Sequence, residues 1–197
     1  MKLLPTCIVL TVMLLLISHP LLPNNQPGKD FLITLDGSKL TGLIKTIAFG
    51  KKNTKITFEN DLGTLYTVNA STIFGFALQE GGEMSMYESK YLNGVWQFLK
   101  VENKGQALIL YTSIERQLQF SGVNEAPIVV QEKKPQVWLQ FKGEQPFRLY
   151  RFRFRGVLRK KLKSYSDLAK RIGKRGFRYN NLSLIVDSYN RFHQSKE

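Results

Sequence analysis

An α+β fold is predicted for this 197-residue chain: a mostly antiparallel β barrel or sandwich body followed by two or three short C-terminal helices. Three observations predict it. Short runs of alternating apolar and polar residues, separated by Gly, Asn and Asp, recur as far as residue 146. From Phe154 onward the apolar residues recur at helical spacing instead. The charge changes at nearly the same place, from a near-neutral body to a strongly basic segment.

The first strand is read in "DFLITL", because Asp36-Gly37 follows it and both turn positions tolerate positive φ. "KLTGLIKTI" alternates Leu40, Gly42 and Ile44 against Thr41, Leu43 and Lys45. After a turn at "GKKN", "TKITFEN" sets Ile56 and Phe58 against Lys55 and Thr57. "DLG" turns into "TLYTV". "FGFALQ" is joined through Glu80-Gly81-Gly82-Glu83 to "MSMYESKY", and "VWQFLKV" and "QALILYT" follow. "PIVVQ" and "QVWLQF" supply two more strands, separated by Glu132-Lys133-Lys134-Pro135. Many short strands with Gly-rich turns are the pattern of an antiparallel barrel or sandwich.

In the C-terminal part, Phe154, Val157, Leu158 and Leu162 lie on one face of a helix. A second short helix is expected from a cap at Ser166 through Lys174, with Asp167 in its first turn and Gly173 and Gly176 at its end. Asn180 or Asn181 caps a last helix whose apolar stripe is Leu182, Ile185, Val186 and Tyr189. Residues 147–153 fit either a strand with a bulge near Tyr150-Arg151 or a helix starting near Phe147. The organisation is therefore residues 1–28 as leader and linker, 29–146 as β-rich body, and 147–197 as a basic helical cap of the same domain.

Lys2 followed by the apolar run Leu3 to Ile17 has the form of a secretory signal, whose apolar part spans about 7–15 residues. A membrane span needs about 20. No clean small-residue site precedes Pro20, which keeps an uncleaved N-terminal anchor as the alternative; the form of the leader nevertheless predicts cleavage between Ser18 and Gly28. An extracytoplasmic location follows: periplasmic, outer-membrane-associated or secreted. Cys7 lies inside the apolar run, which argues against a lipoprotein. It is also the one cysteine, so the exported part has neither a disulfide framework nor a Cys-based metal site.

Histidine is almost as scarce. His19 lies in the leader and His193 near the C-terminus, a poor candidate for the histidine held by packing and a third group that Ser-His-Asp and Cys-His catalysis need. Glu80 and Glu83 flank a Gly-Gly turn and Glu88 follows Tyr87. A catalytic pair needs two carboxylates across a cleft, one with a raised pKa, and turn-tip glutamates are solvated. Asp36, Glu59 and Asp61 lack the regular spacing of a calcium loop. Asn69-Ala-Ser71 and Asn181-Leu-Ser183 match a glycosylation sequon but read as turn and cap. Met84, Met86, Trp96, Phe98, Trp138 and Phe141 read as core or sheet-face residues. No enzyme, cofactor or metal is expected.

The basic segment is the strongest signal. Residues 29–146 hold thirteen Lys/Arg and twelve Asp/Glu, whereas residues 147–178 hold thirteen and one, a net of +12. Residues 179–197 balance, and Lys2 completes the total of +14. Three readings stay open. The charges solvate the outer face of a helical cap, or they contact a polyanion or membrane surface, or they bind nucleic acid through interleaved aromatics. An exported protein meets little nucleic acid, which disfavours specific binding of it. For the surface reading the candidate patch is Arg155, Arg159, Lys160, Lys163, Lys170, Arg171, Lys174 and Arg175.

The runs "ITLDGSKLTGLIK", "VNASTIFGFALQEGGEMSMYESKY", "FLKVENKGQALILY" and "LRKKLKSYSDLAKRI...NNLSLIVDSYN" resemble a family of uncharacterised exported proteins of Bacteroidetes bacteria. The likeness covers most of the chain after the leader. It implies a β-rich body, a small helical cap and export, and no activity. Members of that family often carry Leu-x-Asp-Cys-Pro after the first cap helix and a second Cys just after the final Tyr-Asn. Here those places hold Leu162 to Ser166 and Arg191-Phe192. The resemblance thus implies that an aromatic contact between Tyr165 and Phe192 replaces a disulfide. The functional expectation is a non-enzymatic structural or interaction module of the cell envelope, with an envelope protein or an anionic surface as partner. The alternatives are a small-molecule or lipid carrier with a cavity in the β body, and polyanion or peripheral membrane binding through residues 147–178.

Overall fold

The computed structural model describes residues 29–49, 54–80, 82–113, 116–119, 128–132 and 135–195. The leader reading and the "GKKN" turn lie outside the described residues. Twelve strands pair antiparallel: β1 (Asp30–Ile33), β2 (Lys39–Phe49), β3 (Thr54–Asn60), β4 (Leu65–Asn69), β5 (Gly75–Glu80), β6 (Glu83–Leu92), β7 (Val95–Lys104), β8 (Leu108–Ser113), β9 (Arg116–Gln119), β10 (Ile128–Glu132), β11 (Gln136–Phe141) and β12 (Phe147–Arg148). Three helices follow, α1 (Phe154–Lys161), α2 (Ser166–Arg171) and α3 (Leu182–Gln194), the last entered through a 3-10 turn at Tyr179–Asn181.

The strand path runs β10-β9-β2-β1-β5-β6-β7-β8-β11-β12, with β3 and β4 branching from β2. Among the described residues its ends are not paired to each other, so the sheet is open and, of the expected barrel or sandwich, the closed barrel is not formed. β2 explains the branching. It has 11 residues, holds β1 and β9 at its two ends, and carries β3 on its other edge. Its register with β3 shifts between Ile44 and Thr46. Residues three apart on a regular strand face opposite sides, yet Ile44 and Ile47 are both fully buried. The bulge at Lys45 resets the alternation and bends the strand.

The apolar residues form three clusters. Ile44, Ile56 and Phe58 from β2 and β3 pack with Phe76, Tyr87 and Phe98. There the Phe76 ring stacks on Tyr87 at 4.4 Å and meets Phe98 edge-on at 5.0 Å. The second cluster joins Leu108, Leu110, Leu139 and Phe141 of β8 and β11 to all three helices. The third, Leu92, Leu99, Tyr111 and Trp138, lies on the opposite face, because neighbouring residues of a strand alternate sides.

The cap obeys the predicted stripes. Phe154, Leu158 and Leu162 of the first stripe are buried, with Val157 packed beside them, and Leu182, Ile185, Val186 and Tyr189 are all buried. Full burial of each such side chain contributes about 1.5–3 kcal/mol, which is what holds short helices to a sheet.

The structure corrects several expectations. Residues 147–153 are neither a long bulged strand nor a helix; β12 covers two residues and a turn leads into α1. Leu149 still donates its N–H to Val137 O and is buried in the cap cluster, and the chain turns away from the sheet edge only after it, where Arg153 N–H donates to Tyr150 O. Ser166 is the first residue of α2 and not its cap, and α2 ends at Arg171, before Lys174. Gly173 and Gly176 stand at positive φ just beyond it. Met84 and Trp96 meet the sheet-face half of the core-or-sheet-face reading: both are exposed strand residues, and Trp96 pairs with Tyr91 at 5.5 Å. Asn181 precedes α3 but caps none of its N–H groups; its amide donates to Gly176 O.

Candidate anion-binding site

The segment read as basic becomes the outward surface of the helical cap. Burial of the Phe154–Leu158–Leu162 stripe forces the remaining positions of α1 outward, and Arg155, Arg159, Lys160 and Lys163 are exposed. Lys170, Arg171, Lys174 and Arg175 are exposed on α2 and the turn after it. Two of these arginines tie the elements together: Arg159 donates to Ile172 O at 3.0 Å and Arg155 to Gly173 O at 3.5 Å. The Arg171 guanidinium covers the Phe177 ring at 3.9 Å. Lys161 is drawn off the patch. It pairs with Glu144 of the β body and stands over the Phe141 and Phe147 rings.

A cleft of about 410 Å3 opens in this surface. Arg151, Phe152, Phe154 and Arg155 form one wall, and Arg178, Tyr179 and Asn180 the other. Of the candidate patch residues, only Arg155 lines it. Both walls are fixed by the cap core. Phe154 is buried and meets Tyr179 edge-on at 5.7 Å, and the Tyr179 hydroxyl donates to Leu149 O at 3.3 Å. Burial raises the Tyr179 pKa above its ordinary value, against the opposing fields of Arg151 and Arg148. At the rim, Tyr150 and Phe152 are 42% and 79% exposed and lie 5.7 Å apart. Arg148 stands over the Tyr150 ring at 4.6 Å and Arg153 over the Phe152 ring at 5.3 Å. Exposed aromatics flanked by guanidinium groups suit an anionic surface with an apolar layer beneath.

Residues 147–153 gave conflicting periodicities, so Arg151, Phe152 and Tyr150 were not placed on the patch by sequence reasoning. Arg178 ends the basic segment and Asn180 is one of two expected caps of the last helix, so neither stands on the candidate patch. The available signal was the spacing of Arg148, Arg151 and Arg153 around Tyr150 and Phe152.

Among the described residues the acidic side chains form no comparable site. Glu88, in the strand after Tyr87 and not at the turn tip, is buried on β6, where its carboxylate accepts from Lys104 at 2.7 Å, Lys90 at 2.9 Å and the Tyr111 hydroxyl at 2.7 Å. Burial opposes its ionisation, but these bonds together prevail and take its pKa down to about 2. Burial, reinforced by Glu88, raises that of Tyr111. Asp61 pairs with Lys29 and Glu59 with Lys45, each at the surface. Among the described residues no group of three His, Cys, Asp or Glu gathers as metal ligands, and no helix is long and apolar enough to cross a membrane. No protein-family model matches this chain, and no match was found among curated proteins or among solved structures.

Proposed function

We propose that this chain is an exported, non-enzymatic interaction module of the bacterial cell envelope that binds anionic surfaces through residues 147–178. The observation that carries this reading is the exposed Tyr150–Phe152 pair, set among Arg148, Arg151, Arg153 and Arg155 in a segment of net charge +12. The Lys2 start and the Leu3–Ile17 run support export, and the family resemblance is proposed on the same footing. The passage of β3 against β7 supports a sandwich-like layering of the open sheet. A carrier with its cavity in the β body draws no support from the cleft, which opens on the cap.

The test is co-sedimentation of the full chain with phosphatidylglycerol-containing vesicles and with neutral vesicles, each at low and at high salt. Binding to the anionic vesicles alone is expected, and it should weaken steeply with salt because the Debye length falls to about 3 Å at 1 M. Changing Arg159, Lys160 and Lys163 together to Gln should weaken it, as should Phe152→Ser. Equal sedimentation with both vesicle types, or binding indifferent to salt and to both variants, would remove the surface reading.

A further inference from the structure

We propose that the cleft between Arg151–Arg155 and Arg178–Asn180 is a binding site for a phosphomonoester dianion. This rests on the reading of residues 147–178 as an anion-binding surface, and it names the group that the surface selects.

The lining carries the argument. Arg151, Arg155 and Arg178 are the charged residues of the lining and Asn180 the amide-bearing one, with no Asp or Glu among the lining residues. Among the described residues no Asp or Glu forms an ion pair with any of the three arginines. A monoanion would leave most of that charge uncompensated. A phosphomonoester carries about −1.5 to −2 near neutral pH and presents three acceptor oxygens. Guanidinium forks match such oxygens with paired N–H donors, which an ammonium group does not do.

The arrangement is held before any ligand arrives. The Arg155 side chain lies across Gly173, where a Cβ would come within 2.6 Å of Arg155 Nε. Its bond to Gly173 O uses one arm and leaves the other N–H groups for an anion. Arg178 is carried by the 3-10 turn that Tyr179 anchors to Leu149 O. A volume of about 410 Å3 exceeds that of a bare phosphate. It falls within the range of about 300–1,000 Å3 of small-ligand sites, so the moiety bearing the phosphate enters as well. That moiety is either the headgroup of a membrane lipid, with Phe152 and Tyr150 in the bilayer edge, or a soluble phosphorylated compound.

The test compares vesicles containing phosphatidic acid, a monoester, with vesicles containing phosphatidylglycerol, a diester, at matched surface charge. Glycerol 3-phosphate is titrated separately by calorimetry. We expect the full chain to prefer phosphatidic acid by about fivefold or more. The double change Arg151→Lys/Arg178→Lys keeps the charge and should abolish the preference for phosphatidic acid. Binding of glycerol 3-phosphate that the same double change abolishes, without a vesicle preference, supports the site with a soluble source. Equal binding to the two vesicle types, with no binding of glycerol 3-phosphate, overturns the cleft site and leaves the anionic-surface reading standing. No binding to either vesicle or to glycerol 3-phosphate overturns both.

Discussion

The rings of Tyr165 and Phe192 stack with centroids 4.0 Å apart and planes 4° from parallel. This contact is one that the sequence reading expects. Tyr165 immediately precedes α2, so the stack ties the α1–α2 turn to α3 and does not join α1 itself. Aromatic pairs contribute about 0.5–1.5 kcal/mol beyond their buried area. A double-mutant cycle of Tyr165→Leu and Phe192→Leu, followed by urea unfolding, should return a coupling energy of that size. Strictly additive effects would mean that the rings stabilise the cap only through burial.

Asn190 is buried on α3 and acts as a clamp on the start of β8. Its Oδ1 accepts from Ala107 N at 3.1 Å and Leu108 N at 2.8 Å, while Nδ2 donates to Leu108 O at 2.8 Å. Asn190→Ala strands these backbone groups and should cost roughly 3 kcal/mol. Gly105 makes room for the same amide, since a Cβ there would come within 1.9 Å of Asn190 Nδ2. Gly105→Ala should therefore destabilise the chain, and far less so in the Asn190→Ala background. Equal losses in the two backgrounds, measured by thermal unfolding, would contradict the clamp.

Glu88 predicts an acid limb in the stability profile. Its folded pKa of about 2 lies below the ordinary 4.5, so the stabilisation is complete above that ordinary value and is lost as pH falls toward 2. A shift of that size corresponds to roughly 3 kcal/mol at neutral pH. Glu88→Gln should lose about this much near pH 7 and show a shallower decline between those two pH values. A profile parallel to that of the unaltered protein would show that Glu88 does not set the limb.

Asp30 has the opposite sign. Its buried carboxylate accepts from Ile44 N and Gln79 N, both at 2.9 Å, and bridges β2 to β5. Burial raises its pKa and the two backbone bonds only partly oppose this. The protonated form is thus favoured by folding, and this contribution to stability is lost as pH rises through the folded pKa. In a carboxyl NMR titration Asp30 should titrate above its ordinary value and Glu88 well below its own. Asp30→Ala leaves two buried N–H donors without their acceptor and should cost about 2–4 kcal/mol.

Most of the strands, the two long apolar stripes of the cap and the confinement of positive charge were legible because each is a local pattern. Ile56 and Phe58 alternate with polar neighbours, and Leu182, Ile185, Val186 and Tyr189 repeat at helical spacing whatever they pack against. The reading failed where two patterns competed, at residues 147–153, and where a single residue acted at long range. Glu88 looks like any polar strand residue. Its burial follows from the register that sets Tyr111 and Lys104 beside it.

The sequence by itself determined the antiparallel β body, the C-terminal helices and the placing of thirteen basic residues in residues 147–178. Only the tertiary structure decided that the sheet stays open, that Asn190 grips β8, and that Arg151 and Arg178 line one cleft. Periodicity fixes which face of an element is buried, because burial is a property of each element's own spacing. It does not fix where that face docks. The docking depends on strand register, the bulge in β2 and the packing of α1 and α3 on β8 and β11, and these bring together residues that no local pattern connects.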